Sequence, residues 1–258
     1  MSAPVTRAML LAAGKGERLK PLTEHTPKPL VPVGGRPMVA YVLDLLAAAG
    51  IREVHVNLHH LGARVPDALG DGSAWGLSLC YHHEADILGT GGGLSATCRD
   101  CPDLAGGDFV MINADILTDV DLGAVIATHR AAADQGVSPL ATLVLRDDPE
   151  AARFGIIGTD LGGRIRRFLE VNAGGAAREH MFTGIQVLSP EILALMPTGG
   201  AFPITDAYKA ALKAGAPLMA HLHRGYWADL GTPERLGRAE ADLAAGRAGR
   251  LTPTGGGR

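Results

Sequence analysis

The sequence predicts an α/β fold with a mixed, mostly parallel central sheet flanked by helices and a smaller antiparallel portion towards the C-terminus. Three observations predict it. The apolar run Ala8-Met9-Leu10-Leu11-Ala12 ends in Gly14-Lys15-Gly16, as a buried parallel strand does when it runs into a glycine loop. A helical repeat over residues 37–49 has Pro37 at its start and Gly50 at its stop, and a second apolar run follows at 54–58, so strand, helix and strand form one crossover unit. Beyond Pro149, short segments with Gly-rich connections replace the strand–helix alternation, which is the pattern of antiparallel pairing.

The remaining elements follow in order. Strands are expected at 77–81, 109–113 and 140–145, with helices at 92–97 and 122–133 between them. The antiparallel portion takes in 154–159, 164–171 and 181–188. Short helices at 190–195 and 206–214 come next, then strands at 218–222 and near Tyr226, and a last helix over 233–244 capped by Thr232 with Pro233 at its first position. Residues 246–258 are Gly, Arg and Thr without periodicity and read as a flexible tail. No repeat of fixed period is present, so residues 1–245 read as one domain with halves at about 1–118 and 119–245.

Composition limits the function classes. With 258 residues, 47% hydrophobic and 20% charged, the chain can bury a core without disulfides. A net charge of −3 supplies no general attraction to nucleic acid or to anionic membrane. There is no apolar run of spanning length, and Met1 to Arg7 lacks the order of a secretory signal, so the expectation is a cytoplasmic protein. Cys98-x-x-Cys101 has a zinc or redox spacing, but Cys80 is the only other cysteine, and the pair reads as ordinary thiols at a helix end. The pairs His59-His60 and His82-His83 sit at strand ends without metal spacing and read as polar rim. No Ser-His-Asp or Cys-His arrangement is legible.

The stretch 11–31 carries the chemistry. Gly14 and Gly16 let the backbone turn tightly, so that successive N–H groups can cradle an anion. The chain has five lysines, and three of them, Lys15, Lys20 and Lys28, fall in this window with Arg18, a local enrichment that suits phosphate. The spacing is not that of a P-loop, and the third glycine of the dinucleotide fingerprint is missing. A dinucleotide-dependent oxidoreductase would also need a carboxylate after the second strand, where His59-His60 stands instead.

Leu-Ala-Ala-Gly-x-Gly-x-Arg at 11–18, Pro-Leu-Thr at 21–23 and Pro-Lys-Pro-Leu at 27–30 together resemble the signature of the sugar-1-phosphate nucleotidyltransferases, and the likeness extends over nearly the whole chain. The resemblance implies the Rossmann-like nucleotide-diphospho-sugar transferase fold, with a nucleotide-binding first half and a sugar-binding second half. It implies that Leu11, Ala13 and Gly14 lie against the nucleoside and that Gly16 and Arg18 bind the β- and γ-phosphates. Lys28 would bridge the α-phosphate and the sugar phosphate. Lys15 and Lys20 match less constrained positions and add supporting charge.

Two aspartates extend the likeness. Phe109-Val-Met-Ile-Asn113-Ala-Asp115 is an apolar strand ending in a carboxylate, at the end where open α/β sheets place ligand chemistry. Asp229, in Gly225-Tyr-Trp-Ala-Asp229-Leu-Gly-Thr, precedes the last helix. Both resemble the family's metal-binding positions, and Mg²⁺ suits them because it takes one or two carboxylates plus substrate phosphates. In the segment His83-Glu84-Ala-Asp-Ile-Leu-Gly89, the resemblance gives Glu84 and Gly89 to the base, although donor counting at Glu84 does not choose between guanine and uracil or thymine. Gly155, Glu170 and Thr183 match the sugar side, with Asn113 beside the sugar phosphate. Val171 stands where many members carry a lysine.

The resemblance therefore implies a Mg²⁺-dependent transfer from a nucleoside triphosphate (NTP) to a sugar 1-phosphate, giving an NDP-sugar and pyrophosphate. Expected partners are these two small molecules, neither nucleic acid nor membrane, and the expected state is a monomer or small homo-oligomer. UTP with N-acetylmuramate 1-phosphate is the expected pair, because the missing lysine and the Leu-Gly-Thr-Gly-Gly-Gly stretch look most like that uridylyltransferase branch. GTP with mannose 1-phosphate is the alternative. A noncatalytic subunit sensing NDP-sugar is the alternative from another class, and the presence of Lys28, Asp115 and Asp229 speaks against it.

Overall fold

A computed structural model describes residues 4–149, 151–249 and 251. In chain order the first half holds β1 (Arg7–Leu11), α1 (Leu22–His25), β2 (Pro32–Val33), β3 (Arg36–Pro37), α2 (Met38–Ala48), β4 (Glu53–Leu58), α3 (Arg64–Leu69), β5 (Ser78–His83), α4 (Gly89–Asp100), β6 (Phe109–Asn113) and β7 (Ile116–Thr118). The second half holds α5 (Leu122–Asp134), β8 (Ala141–Arg146), α6 (Ala151–Phe154), β9 (Ile156–Thr159), β10 (Ile165–Phe168), β11 (Val171–Asn172), β12 (Arg178–Leu188), α7 (Thr205–Lys213), β13 (Leu218–Leu222), β14 (Trp227–Asp229) and α8 (Pro233–Ala244).

The main sheet runs β11-β10-β9-β12-β6-β1-β4-β5, with β8 and β13 continuing from β12 on a branch. Strands β5, β4, β1 and β6 are parallel, β12 is antiparallel to β6, and β9 to β11 form an antiparallel meander beside β12. The mixed sheet predicted from the sequence is therefore observed. Strand β1 lies at its centre, with Ala8, Met9 and Leu10 fully buried. Ala8 and Leu10 pack with Val39, Val42, Leu43 and Leu46 of α2 on one face, while Met9 joins Leu94 of α4 and Tyr208 of α7 on the other. Each Val, Leu or Met side chain among them, taken from water, contributes about 1.5–3 kcal/mol, so the two faces lock the strand whose C-terminal end carries the glycine loop.

Two features position the site. Strand β7 pairs antiparallel with β14 in a small separate sheet that sets Asp229 opposite Ile116, bringing the start of the last helix back to the end of β6. Helix α4 begins at Gly89, three residues before the periodicity placed it. A Cβ on Gly93 would stand 2.6 Å from Glu84 Oε1, so this glycine, although it weakens helix propensity, is what allows the helix to approach Glu84.

Other differences are local. The β2–β3 hairpin, β7 and α3 are too short to carry a readable period, and the span expected as a strand from 154 begins as α6 before β9. Residues 190–195 form a 3-10 helix. The packed body continues past 245: Arg247 pairs with Asp242 at 2.9 Å, Ala248 is buried and Leu251 packs beneath α8, while the rest of the expected tail, residues 250 and 252–258, lies outside the described residues. No described helix is long and apolar enough to cross a membrane.

Candidate active site

The carboxyl ends of β1, β4 and β6 open into a cleft of about 670 Å³, within the usual range for small-molecule sites. Leu11, Ala13, Gly14, Lys28, Glu84, Gly89, Asn113 and Asp115 all line it, joined by Asn57 and Thr90. Its glycine loop has a defined path. Gly16 adopts φ +67°, and a Cβ there would lie 2.7 Å from Thr23 Cγ2. The Thr23 hydroxyl donates to the Gly16 carbonyl at 2.8 Å, which fastens the turn from behind. At Ala12 the backbone N–H donates to Asn57 Oδ1 at 2.9 Å.

Lys28 stands between Pro27 and Pro29 in a 3-10 turn, a stiff mount for a long side chain. Its Nζ donates to Asp115 Oδ2, and both groups are mostly buried, with 14% and 21% of the side chain exposed. Asp229 enters from the other half. Leu230 N–H donates to the Asp115 carbonyl at 2.9 Å, so the two aspartate-bearing segments are bonded neighbours. Asp229 Oδ1 accepts from Gly231 N–H at 2.8 Å and pairs with Arg235 at 3.1 Å. Arg18 is exposed and reaches over Gly231, where a Cβ would stand 2.8 Å from its Nη2; Gly16 and Arg18 therefore sit beside the cleft rather than lining it.

The β5 side of the cleft is built around Glu84. Its Oε1 accepts from Asn57 Nδ2 at 2.7 Å and its Oε2 from Leu88 N–H at 3.0 Å, leaving lone pairs on a carboxylate whose orientation is fixed. Asn57 thus ties the glycine loop to the Glu84 carboxylate. Sequence reasoning missed it, because one asparagine inside an apolar strand carries no spacing signal.

A neighbouring cavity of about 660 Å³ shares Leu11, Thr90 and Asn113 and adds Phe154, Thr183, Gly184, Trp227 and Asp229. Gly184 lies at a register shift of β12 with φ +82° and backs onto Asn113. The Thr183 hydroxyl donates to the Val144 carbonyl at 2.8 Å, and the Trp227 indole donates to the Thr183 carbonyl at 3.0 Å. Phe154 meets Trp227 edge-on, with ring centroids 6.3 Å apart. Arg235 lies 4.8 Å from the Phe154 ring and Arg146 lies 5.6 Å from the Trp227 ring. Trp227 and the two arginines had no sequence signal of their own. Gly155 packs on Leu169, and exposed Glu170 pairs with Lys209 of α7 at 3.4 Å; neither lines the two cavities. Lys209 thus stands beside Glu170 from another element, whereas the sequence neighbour is Val171.

The donor set fits a hard divalent cation. Asp115 and Asp229 offer carboxylate oxygens at the junction of the two cavities, and each now holds a protein cation, Lys28 and Arg235, where a metal and phosphates would compete for the same charge.

Fold and site together define an α/β protein of the nucleotide-binding class, with its ligand chemistry at strand ends. The chain belongs to the Nucleotidyl transferase family, whose model matches residues 7–246. It is 35% identical over 236 residues to the N-acetylmuramate alpha-1-phosphate uridylyltransferase of Neisseria meningitidis, covering 91% of this chain and 97% of that one. It is 34% identical to the mannose-1-phosphate guanylyltransferase of Mycobacterium tuberculosis, covering 93% of this chain and 65% of that longer protein. Among solved structures, a Bacillus anthracis protein provisionally named glucose-1-phosphate thymidylyltransferase superposes with TM-score 0.76 at 25% identity, covering 92% of this chain and 94% of that one. Its named relatives are thus sugar-1-phosphate nucleotidyltransferases, and they differ in both base and sugar.

Proposed function

We propose that the protein condenses UTP with N-acetylmuramate 1-phosphate to give the UDP-sugar and pyrophosphate. One observation carries the reading: the Lys28–Asp115 pair and Asp229 stand where the glycine-loop cleft meets the aromatic cavity, so two phosphorylated substrates placed in these spaces meet at that charge cluster. A sugar phosphate oxygen forms the new bond to the α-phosphorus, and the bond between that phosphorus and the bridging oxygen of pyrophosphate breaks. The attacking phosphate is largely ionised near neutral pH, so no strong base is required. Lys28 holds the phosphates that approach each other, Arg18 receives charge on the departing pyrophosphate, and Glu84 with Asn57 orients the base.

Asp115 and Asp229 would hold Mg²⁺, which when bound neutralises charge on the α-phosphate. Two observations support the sugar. The Neisseria relative is matched over almost its full length. Arg146 and Arg235 lie against the Trp227 and Phe154 rings and line an adjoining cavity of about 920 Å³ that shares Phe154, Trp227 and Asp229 with the aromatic one, and guanidinium suits the planar carboxylate that N-acetylmuramate carries and mannose lacks.

The test is pyrophosphate release over a matrix of NTPs and sugar 1-phosphates, with and without Mg²⁺. The expected result is release that needs both substrates and the cation and is fastest with UTP and N-acetylmuramate 1-phosphate. Faster turnover with GTP and mannose 1-phosphate would replace the substrate assignment, and no release with any pair would remove the reaction itself.

A further inference from the structure

The in-register pairing of β4 with β5 sets His55 beside Cys80 and Asn57 beside His82. Strand alternation then puts Glu53, His55 and Asn57 on one face of β4, with Cys80 and His82 on the matching face of β5. Cys101 follows at the C-cap of α4. The sequence pattern left these groups apart, reading His82 as rim and Cys101 as half of a local thiol pair. In the folded chain His55 is buried, and its Nδ1 lies 2.9 Å from His82 Nε2, with the rings stacked at a centroid distance of 5.1 Å. One ligand atom each of His55, His82 and Cys101 lies within 4.8 Å of the others.

We propose that His55, His82 and Cys101 form a binding site for a zinc-class divalent cation, separate from the phosphate-transfer cleft. Two imidazoles and a thiolate select zinc or cobalt over magnesium. Tetrahedral bonds of about 2.0–2.3 Å put neighbouring ligand atoms roughly 3.3–3.8 Å apart; the two imidazole nitrogens, at 2.9 Å, need to part only slightly, and all three ligand atoms lie within 4.8 Å of one another. The fourth position is left to water, since His82 and Cys101 are only partly buried and solvent reaches the cluster.

An orienting partner is already in place. Glu53 Oε1 lies 2.9 Å from His55 Nε2, and by accepting that N–H it leaves the lone pair on Nδ1, the nitrogen that faces His82. A carboxylate on the far nitrogen of a ligating histidine is the usual supporting arrangement. On binding, the Cys101 thiol releases its proton to solvent as the metal–sulfur bond forms, and His82 carries its proton on Nδ1. Of this face, Asn57 lines the nucleotide cleft and His55, His82 and Cys101 do not.

The test uses the full chain, stripped with chelator and titrated with Co²⁺ alone. The expected result is one equivalent giving both the visible bands of tetrahedral cobalt and a near-ultraviolet thiolate-to-cobalt band, which the oxygen donors Asp115 and Asp229 cannot produce. Cys101→Ser should abolish the thiolate band, and His82→Ala should weaken binding at least ~10-fold. Cys98→Ser, at the buried neighbouring thiol, should change neither signal. A wild-type protein without the thiolate band, or a band that survives Cys101→Ser, would overturn the proposal and leave the cluster as a hydrogen-bonded chain. Should Cys101→Ser fail to fold, alkylation of the wild type decides: Zn²⁺ should slow modification of Cys101 at least ~10-fold, and an unchanged rate would refute the site.

Discussion

The two halves of the molecule use their polar groups differently. In the first half, parallel strands end together, and Glu84, Asn113 and Asp115 at those ends line one cleft with Lys28 of the 3-10 turn that follows the glycine loop. In the second half, polar groups are spent within the protein: Thr183 bonds the Val144 carbonyl, and Glu170 pairs with Lys209 of α7. What the second half turns to the second cavity is a mixture, the rings of Phe154, Phe182 and Trp227 beside the polar Gln186, Thr205 and Asp229. Parallel topology concentrates functional groups at one edge, where a signature can be read along the chain. The meander distributes them, so its binding surface is assembled from residues far apart in sequence.

Substitutions test that contrast, and the largest effect belongs to the first half. Lys28→Ala should cut turnover by about 10²–10³-fold, the cost of losing one preorganised donor, while the thermal midpoint moves by only a few degrees. Steady-state rates beside a melting curve check it; equal losses of activity and fold would erase the distinction. Glu84→Gln keeps the shape but replaces a charged acceptor, and a charge-assisted bond of about 1.5–3 kcal/mol translates to a rise of roughly 10–100-fold in KM for the nucleotide. The KM for the sugar phosphate should stay unchanged in the same titration.

The second half should respond through stability. Thr183→Val removes a buried hydroxyl that serves the Val144 carbonyl, so it should cost about 0.5–1.5 kcal/mol in denaturant unfolding with kcat within a factor of about three. A larger kcat effect would mean that the hydroxyl turns to substrate.

The smallest effect concerns pH. Burial, reinforced by the neighbouring His223, lowers the pKa of His221 from 6.5, with Asp121 opposing; Thr128 Oγ1 lies 2.8 Å from His221 Nδ1. The unfolded chain binds this proton more readily, so the contribution is complete above 6.5 and is lost as pH falls through the folded value. The melting midpoint should therefore drop slightly on acidification from neutral pH, and His221→Gln should flatten that slope. An unchanged slope would show that other groups set it.

Much of the scaffold was legible because it obeys simple periods. Strand β6 matched at both ends, as did α8, where Thr232 accepts from Arg235 N–H as its cap. The periodicity predicts a short α4 because glycines oppose a helix locally, whereas close packing requires them, Gly91 against Phe202, Gly92 against Gly200 and Gly93 against Glu84. The cleft residues were legible because they cluster in one contiguous signature and at one strand end. Asn57, Trp227 and Arg235 were not, since each acts through a partner brought close only by the fold: Ala12 and Glu84, Thr183, and Asp229. The same limit hid the histidine–cysteine cluster, whose members come from two strands and a helix cap.

The most direct test of the central claim is a crystal structure with a non-hydrolysable uridine triphosphate analogue, Mg²⁺ and the sugar 1-phosphate. Lys28 Nζ should have left Asp115 for the α-phosphate and the sugar phosphate, with both aspartates on the cation and the base against Glu84. A nucleotide bound elsewhere, or Lys28 still held by Asp115 with both substrates in place, would contradict the account.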